Sequence, residues 1–362
     1  MKRKMILWGM CLCLAVSLSA CGKKNTEAPI VVENSQISES EDAETQEVES
    51  KEETLEHTQA DASQQRFEKL TYSFADAKAG ADFLLGNKDY LNNLTHNDLC
   101  FRMQKKDVSL EEYTAFAAKQ TLDFTEEEKA GITACMQKIE DICEKRHYKL
   151  PAMEEITFVK TTMQEESGAA AYTHGTQIYM GEDVVSFLSS KDEWERDYGT
   201  MILAHELFHC LTRSDSWFRE DMYGIIGFRV QDEEFTFAPE IKEKILSNPD
   251  VGKHNSYATF RIDGRDRDCV VVFSTTRPFE KPGDSMFDLH MVGLVPIDDL
   301  SVMYPAKDAE NFWEVFGRNT EYVLDPEEVL ADNFSYAIMY GEDGMDYPSP
   351  EIIKAICDYL KK

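Results

Sequence analysis

His205-Glu206-Leu207-Phe208-His209 constrains this chain more than any other stretch, because two imidazoles four residues apart share a face only if the backbone is helical. On that face both rings can reach one metal ion, with the Glu206 carboxylate beside them. This spacing is the smallest unit that holds zinc and prepares its water for attack, with Glu206 as general base. The flanking residues also read as a helix. Ser190-Lys191-Asp192-Glu193 has the form of a capping box, and Trp194, Tyr198, Met201, Ile202, His205, Phe208 and His209 recur at helical spacing. The alternative is a buried amphipathic helix with two satisfied core histidines, but Glu206 is costly to bury without a partner.

Two histidines and a water leave zinc one protein ligand short. Asp325-Pro326-Glu327-Glu328-Val329-Leu330-Ala331-Asp332-Asn333-Phe334 starts with proline at a first helical position and continues as a helix, so Glu328 and Asp332 share a face. Glu328 is then a candidate ligand, and Asp332, one turn on, can accept the outer N–H of a ligand histidine and fix its tautomer. Asp215 is a second candidate, since the run from His205 to Asp215 has the length of the signature H-E-x-x-H-x-x-G-x-x-H/D. Thr212 stands where that signature has glycine, and a β-branched residue resists the positive φ of such a turn. Glu327 is a third. First-turn carboxylates are favoured by the helix dipole in any case, which accounts for an acid there but not for the paired Asp332.

On these residues the chain resembles bacterial zinc metallopeptidases of gluzincin type. The resemblance rests on the His205 to His209 helix, on Met222-Tyr223-Gly224-Ile225-Ile226-Gly227-Phe228, and on the segment 325–334. It implies an α+β, zincin-like fold with a small mixed sheet and a helical active-site region. It further implies one zinc ion held by His205, His209 and Glu328, Glu206 as base on the zinc-bound water, and a peptide or protein substrate. In that architecture an edge strand beside the cleft holds extended peptide by main-chain pairing, and Gln177–Met180 is the candidate. Thermolysin-like members carry the glutamate much closer to the second histidine than Glu328 is here. The G-x-M-E-N sequence of many gluzincin aminopeptidases is absent, so an endopeptidase is expected. The reading from another class is a non-catalytic surface lipoprotein, a binding or assembly module with a structural metal. Glu206 counts against it, because a structural site has no use for a base.

Around this region the chain divides by composition. Residues 1–20 join Lys2-Arg3-Lys4 to an apolar run that ends in Leu18-Ser19-Ala20 before Cys21, and look like a bacterial lipoprotein signal peptide. That resemblance implies cleavage before Cys21 and a lipid on its sulfur, leaving the protein anchored on the extracytoplasmic face of the membrane. The apolar run is shorter than the roughly 20 residues a spanning helix needs. Residues 21–65 are rich in Glu, Ser, Thr and Gln and read as an acidic, disordered tether. Residues 66–150 read as a helical N-terminal region, with helices over 110–122 and 126–148 and Thr125 as a cap. The metallopeptidase domain takes 151–362, with strands at 156–162, 177–180 and 270–273. His290, Tyr322 and Tyr336 are candidate oxyanion donors, none distinguished from a packed ring.

The formal charge of -30, part of it in the tether, argues against nucleic acid as a partner, since phosphates would be repelled and no basic stripe is evident. Asp263-Gly264-Arg265-Asp266-Arg267-Asp268 lacks the closing glutamate of a calcium loop. Cys11 and Cys13 leave with the signal, and Cys100, Cys135, Cys143, Cys210, Cys269 and Cys357 remain, with no C-x-x-C pair. Cys210 follows His209 directly, points off the ligand face and reads as a core thiol.

Overall fold

A computed structural model describes residues 69–362, so the signal-like segment, Cys21 and the acidic tether lie outside the described residues. After β1 (Tyr72–Phe74) come four helices, α1 (Ala77–Gly86), α2 (Lys88–Asn93), α3 (His96–Met103) and α4 (Leu110–Ala117). Then β2 (Thr121–Leu122) leads into the long α5 (Glu126–Arg146). Thr95, Ser109 and Thr125 each start a helix with a reciprocal capping box, which satisfies two otherwise orphaned backbone donors apiece. Thr125 caps as expected, but the helix expected over 110–122 stops at Ala117, and Thr121 and Leu122 pair with a strand instead.

That strand is β3 (Ile156–Thr161), the centre of a mixed sheet completed by β4 (Ala171–His174) and β5 (Gln177–Gly181). The order is β1-β3-β5-β4: β1 and β5 run parallel to β3, while β4 is antiparallel to β5 and β2 to β3. Residues 69–150 therefore share a sheet with the residues that follow them. Gln177–Met180 is not the edge. It lies in β5, bonded on both sides, and β4 is the edge strand that packs beside the histidine helix. Every residue of β4 is buried, so it shows none of the alternation that marks a half-exposed strand.

Next come α6 (Glu182–Ser189), α7 (Glu193–Ser214) and α8 (Ser216–Ile225). The cap of α7 is Asp192, whose side chain accepts from Glu195 N; Ser190, expected in that role, binds the Glu195 carboxylate instead. All residues of α7 from Gly199 to Thr212 are buried, which makes it the central helix of the core, whereas Trp194 is 66% exposed and stacks on Tyr198. Gly131 on α5 permits the close packing of α6 against α5, since a Cβ there would sit 2.7 Å from Ser189 Cα.

A second sheet follows, built from β6 (Arg229–Val230), β7 (Ser256–Ile262), β8 (Arg265–Thr275), β9 (His290–Pro296) and β10 (Tyr304–Pro305), with the short helix α9 (Pro239–Lys242) beside it. It is antiparallel throughout, in the order β10-β9-β8-β7-β6. Asp263 and Gly264, both at positive φ, form the two-residue turn between β7 and β8, so the stretch 263–268 is a hairpin turn with the start of its second strand. Val271 and Leu294 face the main core; Val270 and Val272 cover a smaller cluster with Ile241 and Ile245.

The chain ends in α10 (Phe312–Phe316), α11 (Pro326–Met339) and α12 (Pro350–Leu360). The fold is α+β, and α7 against α11 is its main helix pair, with Phe208 and Phe334 rings 5.4 Å apart between them. Such a contact adds roughly 0.5–1.5 kcal/mol beyond the area it buries. All six cysteines of the described residues are free and buried, Cys210 among them in the main core. No helix of the described residues is long and apolar enough to cross a membrane.

One buried carboxylate sets a pH dependence. Burial pushes Glu165 up to about 7, with Tyr172 OH donating to one oxygen and the other unpaired among the described residues. Glu165 ionises near its ordinary 4.5 in the unfolded chain but keeps its proton to about pH 7 in the fold. Its contribution is therefore complete below pH 4.5 and lost as pH rises through 7, by about 3 kcal/mol in all. Glu165→Gln is expected to flatten that loss, measured as urea unfolding at pH 5 and pH 8; an equal fall in both proteins would refute it.

Candidate metal centre

The pairing of α7 with α11 puts the two sequence motifs face to face. His205 Nε2 lies 3.1 Å and His209 Nε2 3.7 Å from Glu328 Oε2, and all three side chains are buried. They form one of two groups among the described residues that can hold a metal ion; the other joins Glu206 and His209 to Asp250. The structure does not bring Asp215 to the cluster. Its side chain caps α8 by accepting from Phe218 N, an ordinary helix-start role.

Each imidazole has its outer nitrogen committed to a carboxylate. His205 Nδ1 is 2.9 Å from Asp332 Oδ1, as the one-turn spacing from Glu328 suggests, and Thr320 Oγ1 donates to the other oxygen of Asp332. His209 Nδ1 is 3.1 Å from Glu327 Oε1. With each Nδ1 held by a carboxylate, both Nε2 atoms face the position a metal would take. The donor set fits one: His209 Nε2 is buried and has no hydrogen-bond partner among the described residues.

Glu327 lies outside both donor groups and pairs instead with His209 Nδ1, a contact the residue pattern did not suggest. Thr212 and Arg213 donate to its Oε1, and Tyr223 OH donates to Oε2 at 2.6 Å. The Met222 to Phe228 segment joins the site through Tyr223, and the turn after α8 uses Gly227 at φ 78°. Although burial opposes its charge, Arg213 and His209 hold Glu327 well below the usual carboxylate range. The same opposition applies to Glu328, which its contacts with His205 and His209 hold down. For His205 burial lowers proton affinity, but the bonds from Asp332 and Glu328 prevail and raise it well above the ordinary value.

Glu206 points from the same helix toward β4, where Thr173 Oγ1 donates to its Oε2 at 2.8 Å. Burial pushes its carboxyl up against the lowering effect of the two histidines. Asp250, on the loop before β7, places Oδ1 4.0 Å from His209 Nε2 and accepts from Thr173 N at 2.6 Å. Asn248 Nδ2 donates to Glu328 Oε1 at 2.5 Å. Neither loop residue carries a motif; only the fold brings them here. Of the three oxyanion candidates, Tyr322 lines the small cavity with His205, Glu206 and Glu328, its ring 6.4 Å from that of His205. His290 is exposed on β9 and bonded to Phe287 O, and Tyr336 is buried in the α11 core, so neither lines that cavity.

Comparison with known proteins gives no matching family model, no similar curated protein and no similar solved structure.

Proposed function

We propose that this chain is a zinc-dependent metalloendopeptidase of zincin-like fold, with His205, His209 and Glu328 holding the metal and Glu206 as general base. The observation that carries this reading is the buried convergence of His205 Nε2, His209 Nε2 and Glu328 Oε2, with each Nδ1 tied to its own carboxylate. A bound zinc ion would supply Lewis-acid polarisation of the scissile carbonyl and acidify water. Glu206 takes the proton of the attacking water and hands it to the leaving amine nitrogen. Thr173 fixes the Glu206 rotamer from the edge strand, so peptide alignment and proton transfer depend on the same residue. Asp332 and Glu327 hold the imidazoles in orientation and tautomer. The substrate is a peptide or protein, bound extended along β4. Cys21 carries a lipid that anchors the protein on the extracytoplasmic face of the membrane.

One observation favours a second reading, a structural metal in a non-catalytic lipoprotein: the cavity at the cluster has a volume of only about 40 Å³. Incubating zinc-loaded protein with a peptide library and sequencing the products by mass spectrometry separates the two. Chelator-sensitive cleavage at internal bonds is expected. Bound zinc with no cleavage of any peptide would leave the structural reading.

A further inference from the structure

The small cavity at the metal cluster and a larger one of about 420 Å³ share the lining residues Ser247, Asn248 and Pro249. This segment therefore stands between the cluster and the open cavity, which also reaches β4 at Thr173 and His174. The segment is fastened at every residue. Ser247 donates through N and Oγ to Asp98, and its carbonyl accepts from Arg102 at 2.8 Å. Asn248 holds Glu328, and the Pro249 carbonyl pairs with the His174 ring. The Asp250 carbonyl accepts from Arg213, and its carboxylate takes the outward N–H of Thr173, the group an extended peptide on β4 would need.

Four ligands arranged tetrahedrally about 2.0 Å from zinc are about 3.3 Å from one another. The separations His205 Nε2–Glu328 Oε2, His209 Nε2–Glu328 Oε2 and His209 Nε2–Asp250 Oδ1 are 3.1, 3.7 and 4.0 Å; Asp250 shares a donor group with His209 and Glu206 and reaches the cluster through His209. Asp250 Oδ1 also approaches the one buried ring nitrogen of the cluster that lacks a hydrogen-bond partner among the described residues.

We propose that Asp250 is a fourth protein ligand of the metal, closing the resting site until a peptide lifts the Ser247–Asp250 strap from β4. The inference rests on the metal reading of His205, His209 and Glu328. In this state two roles meet in one carboxylate: it occupies the coordination position that water or carbonyl oxygen needs, and the main-chain donor that aligns substrate. Displacement by a peptide frees both together.

Cobalt(II) substitution of the full chain tests this without any turnover assay. Wild type is expected to bind one cobalt ion, and azide should leave its visible spectrum unchanged. Asp250→Ala, and Asp250→Asn, which keeps the acceptor for Thr173 N, should bind cobalt about 10- to 100-fold more weakly. In both variants azide should shift the spectrum. A wild-type spectrum that responds to azide as the variants do would overturn the Asp250 assignment alone. Absence of cobalt from wild type would overturn the underlying metal reading.

Discussion

Glu206→Gln is expected to keep its zinc and to lose about 10²- to 10⁴-fold in kcat/KM on any peptide the wild type cleaves. That loss corresponds to about 3–5 kcal/mol of transition-state stabilisation. The amide has the carboxylate's shape, and its carbonyl oxygen can still accept from Thr173 Oγ1, so the α7 to β4 contact survives. What it loses is the ability to take and return a proton. Because Glu206 is no ligand in the His205, His209 and Glu328 set, metal content should be unchanged, and paired kinetics and elemental analysis check both halves. Turnover retained within a few-fold would show that another group moves the proton.

Arg102→Ala is expected to destabilise the protein by about 3–5 kcal/mol, because it strands two buried carboxylates. The Arg102 side chain is 1% exposed and bridges Asp98 at 3.0 Å and Glu166 at 2.7 Å, while also donating to Tyr90 OH and Ser247 O. The pairs are worth little net against well-packed apolar substitutes, but truncating one partner leaves uncompensated charge in the core. Urea unfolding read by circular dichroism gives the difference, and a loss under about 1 kcal/mol would mean that the carboxylates neutralise or reach water. The same variant removes one anchor of the Ser247–Asp250 strap.

The parts of this site legible in the sequence are those fixed by one helix at a time. His205 and His209 four apart, and Glu328 and Asp332 four apart, meet because helical geometry is local, and the packing of α7 on α11 then joins the pairs. Glu327 was legible as an acid but not as the partner of His209. The signal available was chemical: two histidines proposed to hold one metal need two orienting acceptors, and Asp332 supplies only one. Thr173, Asn248 and Asp250 come from an edge strand and a loop, where no periodicity marks a residue, so only tertiary structure assembles them. Taking Gln177–Met180 as the edge failed because β4 is buried throughout and lacks alternation. Most of the second sheet was passed over, although the buried and exposed positions of β7 alternate and Asp263-Gly264 is a strong hairpin signal.

The most direct measurement is zinc stoichiometry by elemental mass spectrometry on purified wild type, Glu328→Ala and Asp215→Ala. The account predicts one zinc per chain in wild type and in Asp215→Ala, and loss of zinc in Glu328→Ala. Wild type without zinc under metal-replete conditions, or Glu328→Ala that retains it at full occupancy, would contradict the account.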